Sequence, residues 1–154
     1  MIDENLIDKL AEAVHQNYVR EQLTDGVPMG SSSAMRDWAD LDEEGRAASR
    51  AQARDIAAKI ESLGGRVVTK QSRAPKFVFT DDEIEALARD EHARWSAERK
   101  AAGWRLGSAR DNANKVHPSL KPWSKLSKVE KDKDRDAVRN IPAVLATVGL
   151  RLAR

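Results

Sequence analysis

Two short patterns, 77 residues apart, carry side chains suited to holding a flat, charged small molecule. His15-Gln16-Asn17-Tyr18 and His92-Ala93-Arg94-Trp95 each place an aromatic ring three residues after a histidine, one turn along the same helix face. A planar ring offers a stacking surface, and an imidazole can hydrogen-bond a hydroxyl or a phosphate oxygen. Further along, Arg110, Asp111, Lys115 and His117 fall in one polar stretch. Arg110 and Lys115 are natural phosphate contacts, with Asp111 able to hold Arg110 in place. Rings for a base and cations for its phosphates are what nucleotide binding needs. Each feature also has a plainer reading. The rings and histidines can simply pack, Asp111 can shape a turn, His117-Pro118 can order a long loop, and Trp38, Trp104 and Trp123 can anchor a core.

Catalysis finds little support in the same residues. The three histidines show no ligand pair at helical i,i+4 spacing, and no Gly-rich phosphate loop or nucleophile elbow occurs. Cysteine is absent, which removes thiolate chemistry and cysteine-ligated zinc. The expectation is a non-enzyme with no catalytic residue, no metal and no cofactor. Basic residues number 27 against 25 acidic, a net charge of +2 and too little for a nucleic-acid-sized field, so nucleic acid is not an expected partner. The alternating charges from Lys128 to Arg135 read as a solvated helix face. No apolar run approaches the roughly 20 residues of a membrane span, and Asp3 and Glu4 do not suit a signal peptide, so a cytoplasmic location is expected.

What positions these residues is a repeat. At an offset of 77, Leu10, Ala11, His15, Glu21, Gly26 and Gly30 fall on Leu87, Ala88, His92, Glu98, Gly103 and Gly107, and Tyr18 falls on Trp95. At an offset of 85, Trp38, Leu41, Arg50, Ile56 and Gly64 meet Trp123, Leu126, Arg135, Ile141 and Gly149. One eight-residue insertion in the second copy reconciles the two registers.

Each copy reads as helix, irregular loop, helix and a short extended piece, a mainly α fold with minor β. Thr80 with Glu83, and Ser127 with Glu130, are capping boxes that open the two helices of the second copy. Gly26 and Gly103 end the first helix of each copy. Pro142 predicts a kink or restart near Asn140, whereas the equivalent helix from Asp42 to Leu63 has no proline. Arg66-Val67-Val68, Leu150-Arg151-Leu152 and Phe77-Val78-Phe79 read as short strands. The expected organisation is a first repeat over 1–68, a linker or short strand over 69–80 and a second repeat over 81–154, the two packed as one unit.

The second copy carries His92-Ala93-Arg94-Trp95, Gly103-Trp104-Arg105-Leu106-Gly107, Arg110-Asp111, His117-Pro118-Ser119-Leu120 and Trp123-Ser124-Lys125-Leu126. This ordered set resembles the ryanodine-receptor repeat domain. The first copy keeps only the helix signature, Gly26, Gly30 and Trp38-x-x-Leu41, and its loop from Ser31 to Arg36 is too short for the Arg-Asp and His-Pro pieces. The resemblance implies a helical tandem pair with pseudo-two-fold symmetry, found in large calcium-release channels and as small prokaryotic proteins. It also implies an adenine nucleotide or nucleotide-derived second messenger bound between the copies. The expected ligand set is then Tyr18, Trp95, His15, His92, Arg110, Asp111, Lys115 and His117, in one lopsided site. A protein–protein interaction module without a small ligand, or a weak homo-oligomer, is the competing expectation.

Overall fold

The computed structural model describes residues 3–111 and 113–154 and is mainly helical with a minor β component. In chain order the elements are α1 (Glu4–Thr24), α2 (Glu43–Ser62), β1 (Arg66–Thr69), α3 (Asp81–Ala101), β2 (Arg105–Leu106), β3 (Val116–His117), α4 (Lys128–Arg139), α5 (Ile141–Ala146) and β4 (Leu150–Ala153). No described helix is long and apolar enough to cross a membrane. Two compact units cut across the sequence halves. One holds the chain up to Val78 together with Ile141–Arg154, and the other is Phe79–Asn140.

In the first unit α1 packs along α2. Both helices begin at an aspartate whose carboxylate accepts a first-turn amide: Asp3 from Asn5 N–H and Asp42 from Gly45 N–H, each at 2.7 Å. Each such cap satisfies an otherwise orphaned donor and is worth about 1 kcal/mol. Gly26, at φ +83°, supplies the left-handed turn that ends α1. Ile7, Leu10, Met35, Ala53 and Ile60 are buried in this unit, and so are Leu145 of α5 and Leu150 of β4. The late segment of the chain therefore completes a core begun by the early one. β4 runs antiparallel to β1, with Val67 opposite Leu152, the residues that correspond at the offset of 85.

Phe77-Val78-Phe79 does not form the expected strand. Only Lys76 makes an isolated bridge, to Ala153. Phe77 is held by its side chain instead, buried with the Arg154 guanidinium 4.4 Å over its ring, while Val78 is exposed. The short basic stretch before it is fastened to β4: the Arg151 guanidinium donates to the Ser72 and Ala74 carbonyls at 2.6 and 2.7 Å.

The second unit pairs α3 with α4. Both expected capping boxes are complete, with each N-cap hydroxyl and each third-position glutamate exchanging bonds with backbone amides. Pro142 has the expected consequence. Its missing N–H and its ring are incompatible with the carbonyl four residues back, so α4 ends at Arg139 and α5 starts afresh at Ile141, whereas α2 is continuous. A two-residue parallel pair, β2 with β3, has no counterpart among the strands expected from sequence.

The Glu130 capping carboxylate is pulled down to about pKa 2, first by the Ser127 backbone amide it accepts from, then by the Ser119 and Ser127 side chains and the Lys121 charge. A depressed carboxylate stabilises the fold above its unfolded value near 4.5, and that contribution disappears as pH falls toward 2. Glu130→Gln is thus expected to lower the melting temperature at pH 7, with the gap to wild type closing between about pH 4.5 and 2. A gap unchanged across that range would contradict this role.

Candidate functional site

His15 and His92 lie inside their units, each only 5% exposed. His15 Nε2 meets the Arg36 carbonyl at 2.6 Å, and His92 Nε2 meets the Lys121 carbonyl at 2.7 Å. Because a carbonyl can only accept, Nε2 carries the proton in both rings. Around each imidazole the same neighbours recur. The His15 ring lies 6.2 Å from Tyr18 and 6.1 Å from Trp38, and the His92 ring lies 5.8 Å from Trp95 and 6.1 Å from Trp123. Trp38 is covered by the Arg46 guanidinium at 5.4 Å and Trp123 by the Lys131 ammonium at 5.7 Å. Arg50 pairs with Asp8 at 2.9 Å, and Arg135 with Glu85 at 2.7 Å.

This arrangement gives both histidines a place in the scaffold of their units. With the Nε2 proton spent on a backbone carbonyl and the ring buried, His15 and His92 hold the end of a loop against the first helix of each half. The expectation for the tryptophans is corrected. Trp38, Trp104 and Trp123 are half-buried, with cations over their faces, and are not core anchors.

The loop that follows α3 exists only in the second half. Gly103, at φ +90°, turns the chain out of the helix, and β2 then runs beside β3. Gly107 must be glycine here, because a Cβ would collide with Val116 Cγ1. Asp111 orders its own turn. Its carboxylate accepts from the Asn114 amide and side chain at 3.2 and 2.7 Å, and these bonds hold its pKa below the usual range. Asp111 is therefore a turn residue. Lys115 adopts φ +55° and donates from Nζ to the Ala102 carbonyl at 2.9 Å. It caps the negative end of α3, the position where a cation is favoured, so its ammonium is spent on structure ahead of any phosphate.

His117 Nδ1 accepts from the Ser119 amide at 3.0 Å, so this ring too orders its loop. It stands edge-on to Trp95, centroids 4.8 Å apart, and 6.5 Å from Trp104, over which the Arg99 guanidinium lies at 5.0 Å. Burial lowers its pKa first, and the charges of Arg110 and Arg99 lower it further. Arg110 consequently acts on the same neighbourhood as Trp95. An open depression of about 650 Å³ is lined by Arg105, the exposed Leu106, Gly107, Ser108, Arg110 and Asp111 among others.

Of the sequence candidates, the structure brings Trp95, His117 and Arg110 into one neighbourhood of the second unit. Asp111 and Lys115 shape the loop there. Tyr18 is 37% exposed in the first unit, next to His15. Two participants are absent from the sequence candidates, Arg99 and Arg105, and a third, Trp104, carries only the core-anchor reading there. Arg99 stands four residues after Trp95 and five before Trp104, a spacing that puts a cation on the face carrying the first ring. Among the described residues no group of three His, Cys, Asp or Glu could hold a metal ion. Residues 80–154 match the family model of the RyR domain, so the second half of this chain is similar to that family.

Proposed function

We propose that the chain is a non-enzymatic binding module for a nucleotide or a nucleotide-derived signal, with the ligand held chiefly by the second half. The observation that carries this reading is that the loop after α3 brings His117 against the Trp95 ring of α3 and carries positive charge on Arg105 and Arg110. Arg110 acts electrostatically on His117, whose ring meets Trp95. Arg110 and Arg105 line the depression on this loop and carry guanidinium groups of the kind that bind phosphate oxygens, while Trp95 offers a ring for a base. The RyR domain match is consistent with such a role. The first half, with its recurring histidine joint, is a diverged second copy of the same unit that lacks the charged loop. This favours one asymmetric ligand site per chain.

Calorimetry of the full chain against ATP, ADP-ribose, cyclic ADP-ribose and cyclic dinucleotides tests the reading. One of these is expected to bind. Arg110→Ala is then expected to weaken binding at least tenfold, since a hydrogen bond to a charged group is worth about 1.5–3 kcal/mol. Trp95→Ala is expected to cost a similar factor through lost stacking, about 1–3 kcal/mol. Failure of wild type to bind any of them would reject the proposal in favour of a protein-binding module, and unchanged affinity in Arg110→Ala would remove this loop from the site.

A further inference from the structure

Both halves anchor a loop through a buried histidine, but among the described residues the carboxylate contact to such a histidine is in the second half. His92 Nε2 is committed as a donor to the Lys121 carbonyl at 2.7 Å, and its Nδ1 lies 3.7 Å from Asp134 Oδ2 on α4. At the corresponding position of the first half, offset by 85, the chain has Ser49, itself buried. With Nε2 fixed as the proton-bearing nitrogen, a neutral His92 turns an Nδ1 lone pair toward Asp134. If Asp134 is ionised at the same time, a lone pair and a carboxylate oxygen face each other with no proton between them. That arrangement is repulsive in a half-buried setting. One proton resolves it, either on Nδ1 facing a carboxylate or on the carboxyl facing Nδ1.

We infer that His92 and Asp134 form a one-proton pair that couples pH to the anchoring of the Arg105–Trp123 loop. When the proton sits on Nδ1, the imidazolium gives the Lys121 carbonyl a charge-assisted bond, stronger than the one a neutral ring provides. Loss of the proton weakens this bond and leaves the carboxylate facing a lone pair. The surrounding charges are Glu91 on α3 and Lys133 on α4. Glu91 opposes ionisation of Asp134, while Lys133 and His92 favour it. The Arg94 guanidinium is committed to Glu91 and to Glu98, and the Lys121 ammonium lies 3.7 Å from Glu130. Burial is the largest influence on Asp134 and raises its pKa to about 6, which agrees with a proton retained well above the usual carboxylate range.

A group whose folded pKa is raised stabilises the fold fully below its unfolded value and loses that contribution as pH rises through the folded one. For Asp134 the window runs from about pH 4 to just above 6. The inference concerns regulation of the loop proposed above as a ligand site, but its test needs no ligand, so either idea can fail alone.

The experiment is NMR of the wild-type chain from pH 4 to 8, following the Asp134 carboxyl carbon and the His92 ring nitrogens together. The expected result is coupled titration, with the same midpoints visible at both residues. In parallel, the melting temperature of Asp134→Ser, which copies the first half, is compared with wild type. The variant is expected to gain on wild type as pH rises from 4 to 7, while Ser49→Ala shows no such pH-dependent difference. Titration of the Asp134 carboxyl without any matching change at His92, or parallel stability curves for wild type and Asp134→Ser, would overturn the inference.

Discussion

Replacing His92 by alanine is expected to lower the stability of the second unit by about 3 kcal/mol. Two losses combine. Truncating a buried ring between Trp95 and Trp123 leaves a cavity, and removal of large buried side chains costs about 2–5 kcal/mol. The Lys121 carbonyl also loses its donor, which costs about 1–3 kcal/mol when the group stays buried and less once water reaches it. Denaturant unfolding followed by tryptophan fluorescence measures this, because Trp95, Trp104 and Trp123 all lie in the second unit and only Trp38 in the first. Limited proteolysis should locate new cleavage between Arg105 and Trp123, the segment the histidine holds. His92→Gln, which keeps an N–H donor, is expected to recover part of the loss. A loss below 1 kcal/mol in the alanine variant would mean the joint does not organise the loop.

Leu145→Ala is expected to weaken the first unit, although Leu145 belongs to the second half of the sequence. Leu145 is fully buried, packed with the core that Ile7, Leu10 and Ile60 build, and α5 touches both α1 and β4. A buried leucine cut back to alanine costs about 2.7–5 kcal/mol, depending on how far the site collapses. The loss should be reported by Trp38 and Tyr18, measured in a chain whose other tryptophans are replaced by phenylalanine. Deletion of residues 141–154 should be more severe still. It takes away α5 together with Leu150, Leu152 and Ala153, each 5% exposed or less, and leaves β1 without its partner. If either change instead melted α3 and α4 first, the division of the chain into these two units would be wrong.

The two results rest on one feature of the chain, the break at Pro142. In the first half the second helix runs unbroken into the turn before β1. In the second half proline stops α4 at Arg139, and the chain beyond Asn140 goes over to the other unit. The proline and its local effect were legible in sequence, because a missing N–H is a property of one residue. Its consequence for domain membership was not. Which core a six-residue helix joins depends on which apolar surface is available, and that surface is built by residues that lie between Ile7 and Ile60 in the sequence.

The same distinction runs through the candidate site. Helix starts, helix stops and the offsets of 77 and 85 were readable because capping, glycine turns and repeat spacing are local or self-referential properties. The sequence also singled out the residues around which each half is organised: His15 with Tyr18 and Trp38, His92 with Trp95 and Trp123. It could not say what those residues do. A histidine one turn from an aromatic ring suits ligand binding and loop anchoring equally well, and the anchoring rests on carbonyls 21 and 29 residues away that take up each Nε2 proton. Likewise Arg-Asp in a loop suggests a pair, and only the structure shows the Asp111 carboxylate closing a ring with Asn114 three residues on. The sequence by itself thus determined the mainly helical elements, their ends and the positions that matter. Only the tertiary structure decided which polar atoms are already satisfied, because a donor can be spent once, and its partner is chosen by the fold.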